Sequence, residues 1–158
     1  MKKLKRKNKT YLFALTAFLS TVILFSFSFQ DSNKANAADI IVYKSPTCGC
    51  CNKWVKHLET SGFNVKTINK RNMNPVKMQF GVKTKYQSCH TAKIGIYFIE
   101  GHVPASDIKK MLAEKPDAKG LAVPGMPMGS PGMEGHRKDK YSVLLIDDHN
   151  NAKVYSQH

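Results

Sequence analysis

At 158 residues, with 25 Lys and Arg against 11 Asp and Glu, the chain is basic and of a size for one small domain after any leader is set aside. Residues 1–37 hold seven of the 25 basic residues and one of the 11 acidic ones, which leaves a net charge of +8 on the remainder. That remainder, with Lys66, Lys70, Arg71, Lys77, Lys83 and Lys85 scattered and no aromatic stacking platform among them, argues against nucleic acid as a partner and reads as a solvated surface.

Lys2, Lys3, Lys5, Arg6, Lys7 and Lys9 precede an apolar run from Tyr11 to Phe29, and Ala35-Asn36-Ala37 then places small residues at the spacing of a cleavage site. Residues 1–37 are therefore expected to be an export signal. The run is also long enough to cross a bilayer, so an uncleaved amino-terminal anchor is the alternative, and membrane association follows only from it. Residues 38–158 then form one exported domain with a modest core.

In that domain, Ile40 to Tyr43 reads as a strand, and Cys51, Trp54, Val55 and Leu58 fall on one face of a helix that Gly62 ends. Phe63, Val65 and Ile68 alternate as a second strand. Pro75 opens a short helix carrying Val76 and Phe80, stopped near Gly81. Cys89-His90-Thr91 leads into a third strand, Ile94 to Ile99, and a helix from about Ser106 to Glu114 follows, with Ser106 as its cap. Gly120 to Gly135 holds too many prolines and glycines for a regular element. Tyr141–Ile146 and Ala152–Tyr155 read as a closing hairpin around Asp147–Asn151.

This order predicts an α/β fold with a mixed sheet and flanking helices. A strand ending in a cysteine turn, a helix, and a late proline loop before a C-terminal hairpin resembles a thioredoxin-like arrangement. In it the loop faces the cysteine turn, with Met126 nearer the sulfurs than Met133 and a cis peptide before Pro127 fitting the geometry.

The chemistry centres on Cys48-Gly49-Cys50-Cys51, three thiols in four residues at a strand-to-helix turn. Backbone N–H groups and the positive end of the helix dipole favour thiolate there. Cys51 is expected to point inward with Trp54 and Leu58, and Cys48 and Cys50 outward. Cys48 and Cys51 have the spacing of a redox dithiol, whereas the third thiol, Cys50, makes better sense as a metal ligand. A purely structural bridge inside the cluster would close too few residues to stabilise much.

Cys89 and His90 offer a fourth sulfur and an imidazole at the same rim. Met126 is the best placed thioether of the glycine-proline loop, with Met128 and Met133 beside it. Thiolate and thioether donors select cuprous copper. Zinc is the lesser alternative, because zinc sites usually draw ligands from two separated knuckles. His57, His102, His136, His149 and His158 read as solvated, His102 the least plainly so because Gly101 and Pro104 fix its loop.

Four motifs in order then carry a resemblance. Cys48-Gly49-Cys50-Cys51, Ser88-Cys89-His90-Thr91, Glu100-Gly101-His102-Val103-Pro104, and Gly120–Pro127 with Gly129–Met133 together resemble the CopG-like family of exported copper-resistance proteins, long described as a domain of unknown function. The resemblance spans about Ile40 to Tyr155. It implies a thioredoxin-like domain of the bacterial cell envelope, in the periplasm or on the extracytoplasmic face. Such a domain would bind cuprous ions as a multinuclear thiolate cluster through Cys48, Cys50, Cys51 and Cys89, and more weakly through His90 and Met126. Its partners would be copper ions and other envelope copper-handling proteins. Two functions follow: a copper-binding protein of resistance and homeostasis, or a copper-linked or thiol–disulfide oxidoreductase using Cys48 and Cys51 as its catalytic pair.

Overall fold

The computed structural model describes residues 39–158, so the export signal or anchor expected over residues 1–37 lies outside the described residues. Seven strands form one mixed sheet in the order β2-β1-β3-β4-β5-β6-β7. The strands are β1 (Asp39–Lys44), β2 (Asn64–Asn69), β3 (His90–Ile94), β4 (Tyr97–Glu100), β5 (Gly120–Ala122), β6 (Ser142–Ile146) and β7 (Ala152–Gln157). The helices are α1 (Gly49–Thr60), α2 (Asn74–Gln79) and α3 (Ala105–Glu114), with a 3-10 turn at Thr84–Tyr86. Among the described residues no helix is long and apolar enough to cross a membrane.

Pairing directions follow from the connections. β1 and β2 run parallel across α1, and β4 and β5 run parallel across α3, since a parallel return needs a crossover long enough to hold a helix. The other neighbours are antiparallel. One face of the sheet packs against α1 and α3, where Trp54, Leu58, Ile108 and Met111 meet Ile40, Val42, Ala92, Ile99 and Leu121. Each of these side chains larger than alanine contributes about 1.5–3 kcal/mol by its burial. The other face carries a smaller cluster of Val82, Tyr86, Phe98, Ala122 and Ile146.

Several local expectations are corrected. The run Ile94–Ile99 is a hairpin and not one strand: β3 turns into β4 through Gly95-Ile96, with Gly95 at positive φ (54°), as the first position of a two-residue hairpin turn favours. Gly120–Ala122, assigned to the irregular loop, is strand β5, because it pairs with β4 on one side and β6 on the other. The cap of α3 is Pro104 and not Ser106, and it makes no side-chain cap bond. No peptide bond among the described residues is cis, that before Pro127 included. The C-terminal hairpin β6–β7 forms as expected and builds the edge of the sheet away from β2.

Candidate metal centre

Strand register collects the chemistry at one rim. Lys44 pairs with His90, Thr91 with Glu100, and Glu100 with Ala122. The segments after β1, before β3, after β4 and after β5 therefore emerge side by side, carrying Cys48–Cys51, Cys89, His102 and the glycine-proline loop.

α1 begins within the cysteine motif. Cys48 is its N-cap, and its Sγ accepts the backbone N–H of Cys51 (3.3 Å). Cys51 is fully buried with Trp54 and Leu58, whereas Cys48 and Cys50 are part-exposed, as helical periodicity predicts. Cys48 and Cys51 are joined by a disulfide, and Cys50 and Cys89 are free. Cys50 Sγ lies 3.5 Å from Cys48 Sγ, and Cys89 Sγ lies 3.5 Å from Cys51 Sγ. All four sulfurs fall within 4.8 Å of one another.

Cys89 also belongs to a second group with His90 and His102. His102 Nδ1 lies 2.8 Å from the carbonyl of Pro131, which can only accept, so that nitrogen carries the hydrogen. Nε2 then presents its lone pair to Cys89 Sγ at 3.1 Å. On the other side of Cys89, His90 Nδ1 is 3.2 Å from the sulfur. One proton arrangement satisfies this chain: His90 donates to Cys89, the Cys89 thiol donates to His102, and His102 donates to Pro131. It leaves His90 Nε2 as a buried lone pair with no partner.

Burial sets the charges. It pushes the Cys89 thiol up to about 12, with Cys50 the next cause, and it holds His90 well below and His102 below the ordinary imidazole value. A buried neutral imidazole whose other nitrogen donates to a carbonyl is the usual state of a metal-ligating histidine. His90 is further held by Trp54, whose ring centroid is 4.3 Å away.

The glycine-proline loop does cross the cysteine turn, but through Pro131 and Gly132. A Cβ on Gly132 would stand 2.7 Å from the Cys50 carbonyl oxygen and 2.9 Å from the Trp54 nitrogen, so only glycine fits this approach. Met126, expected to lie nearest the sulfurs, is 52% exposed; its neighbour Gly125 is tied to the segment before Cys89, donating its N–H to the Gln87 carbonyl (3.2 Å) and accepting from the Ser88 hydroxyl. Met128 and Met133 are half-buried. The structure thus brings together Cys48, Cys50, Cys51, Cys89 and His90.

Sequence reasoning undervalued three residues. His102, fully buried, joins the group; the signal was its fixed Gly-His-Val-Pro loop. Read as solvated, His57 instead accepts the Ala105 N–H at Nε2 (3.1 Å) and so serves the first turn of α3. Glu100 is a fully buried carboxylate paired with buried Lys77, and an acid ending an apolar strand was the signal.

Fold and site together define a small α/β protein with a four-sulfur, metal-binding type of centre at the head of a helix. A family model described as "Protein of unknown function, DUF411" matches residues 86–133. Two solved structures, described as forms 2 and 1 of "Copper resistance protein copG", are each 46% identical to this chain, with TM-scores of 0.74 and 0.73. Each match covers 77% of this chain and 98% of the other. No curated protein sequence matches it. The chain belongs to the CopG-like family of copper-resistance proteins.

Proposed function

We propose that this protein binds cuprous ions at the cell envelope, in copper resistance and homeostasis, through Cys48, Cys50, Cys51 and Cys89 as a multinuclear thiolate cluster. The observation that carries this reading is four sulfurs within 4.8 Å, supplied by two chain segments. Thiolates are soft donors that bridge and select cuprous copper, with zinc a weaker fit to three sulfurs from one turn. His90 and His102 stand beside Cys89 as nitrogen donors. Met126 follows Gly125, which is hydrogen-bonded to Gln87 and Ser88 beside Cys89, and is the thioether donor of this reading. Similarity to copper-resistance proteins supports copper as the cargo, and the basic, apolar leader supports export with other envelope copper-handling proteins as partners. Metal binding needs thiolates, so the Cys48–Cys51 disulfide must first be reduced.

Anaerobic titration of the reduced protein with cuprous ion against a tight chelator tests the reading. It should take up more than one ion per chain, cooperatively. A single ion, or zinc kept in preference under competition, would overturn it.

The Cys48–Cys51 disulfide favours a second reading, a copper-linked or thiol–disulfide oxidoreductase with Cys48 and Cys51 as the catalytic pair. Support comes from the unit β1-α1-β2 followed by antiparallel β3–β4 and α3, the order of a thioredoxin-like core with β5–β7 added. Cys50→Ser separates the two roles. It should weaken copper binding more than it slows exchange with a small disulfide, and the reverse result would reassign Cys50 to the redox step.

A further inference from the structure

We propose that the buried Lys77–Glu100 pair is a clamp that positions Cys89 and His102 against the cysteine turn, a reading that rests on the thiol site proposed above. Glu100 ends β4 on the face of the sheet opposite α1, and three groups from two segments, the stretch around Cys89 and helix α2, converge on its carboxylate. Ser88, the residue before Cys89, donates its backbone N–H to Oε1 (2.7 Å). Thr91, two residues after Cys89, donates its hydroxyl to Oε2 (2.6 Å). Lys77 of α2 pairs with Oε1 and also reaches the Thr91 hydroxyl at 3.2 Å.

Cys89 itself lies in no regular element, so the bonds made by its neighbours fix where its sulfur sits. The same carboxylate ends the strand that leads, two residues on, to His102. There the Gly101 N–H donates to the His90 carbonyl (3.0 Å) and closes the frame. Cys89 Sγ and His102 Nε2, 3.1 Å apart, are thus set by one buried anion beneath both.

Burying an ion pair is a poor route to stability, because apolar residues of like volume usually do as well once desolvation is counted. What the pair supplies here is geometry: a carboxylate can bind a peptide N–H, a hydroxyl and an ammonium at once, which no apolar side chain does. Without it, the Ser88 N–H would be left without an acceptor and its peptide would turn to find one. Lys77 and Glu100 touch no sulfur and are positioning residues.

The test replaces both charges at nearly constant volume, Lys77→Met with Glu100→Leu. In the protein with its Cys48–Cys51 disulfide intact, Cys50 and Cys89 are the two free thiols, and mass spectrometry follows the alkylation of each. Cys89 should react about tenfold faster in the variant and Cys50 at its original rate, the scale on which loss of an outer-shell partner acts. An unchanged Cys89 rate, or equal acceleration of both thiols as in general loosening, would overturn the clamp. If the double variant does not fold, Glu100→Gln decides in the same way, with a smaller acceleration confined to Cys89.

A second measurement links the clamp to metal. Cuprous affinity of the reduced double variant should fall about tenfold, and adding Cys89→Ser should then cost little more, whereas additive losses would count against the clamp. Should the parent bind no cuprous ion, or Cys89→Ser change nothing in it, the thiol-site reading fails, while the alkylation rates still judge the clamp.

Discussion

Gly132 shows how a single backbone position couples the loop to the cysteine turn. Its φ is +88°, a region that costs a residue with a side chain about 1–3 kcal/mol, and the atoms a Cβ would meet are backbone atoms of α1 that cannot swing aside. Strain and collision therefore act together in Gly132→Ala. That variant should lose about 2 kcal/mol or more of stability, read from urea unfolding, and its loop should lift from Cys50 so that Cys50 is alkylated faster. A variant as stable as the parent with unchanged Cys50 reactivity would show that the loop is not seated on the turn. Neighbouring Pro131 adds to the coupling, because its carbonyl fixes the hydrogen on His102 and so decides which nitrogen faces Cys89.

At the level of elements, α1 does more than present cysteines. Its His57 accepts the N–H of Ala105, the first residue of α3, one of the donors that a helix start leaves without an intrahelical partner and that Pro104 cannot satisfy with its side chain. His57→Ala should cost about 1 kcal/mol in urea unfolding, the usual worth of a lost cap, and His57→Gln less, since its amide oxygen can still accept. Equal stability of the alanine variant would remove that role. This contact also marks what the sequence could not convey. Helix α1 was legible from the period of Cys51, Trp54 and Leu58, and hairpin β6–β7 from two apolar runs around a polar turn. A histidine serving another helix 48 residues away leaves no local pattern. The β3–β4 turn was hidden for a related reason: Gly95 sits inside the unbroken apolar run Ile94–Ile99, since β4 is buried on both faces in the middle of the sheet and does not alternate. The sulfur cluster was legible because three thiols are adjacent in the chain. Loop order told which rim the glycine-proline segment reaches, but not that Gly132 is the residue that meets the backbone of α1.

Across the whole molecule, burial of the site has a consequence for stability against pH in the metal-free protein. His57, His90 and His102 are all held below the ordinary imidazole value of 6.5, chiefly by burial, so the unfolded chain binds protons there that the native state refuses. Stability then rises with pH through that window and is lost as pH falls from about 6.5 toward the native values, by on the order of 1 kcal/mol per pH unit for a fully buried imidazole such as His90. Glu100 acts oppositely: its burial raises the carboxyl despite Lys77, Thr91 and Ser88, so it takes up its proton more readily in the native state and partly offsets the histidines in acid. Cys89 closes the alkaline side. Its thiol is raised from 9.0 to about 12, so its contribution is complete below 9.0 and is lost as pH climbs toward about 12. With three imidazoles set against one carboxyl, urea midpoints of the metal-free, disulfide-bonded protein should fall steadily between about pH 7 and 5 and fall again above about pH 9. A midpoint that stays level from pH 7 to 5 would mean that these histidines are charged or solvated in the native state, and with that the neutral Nε2 facing Cys89 would be lost as a donor.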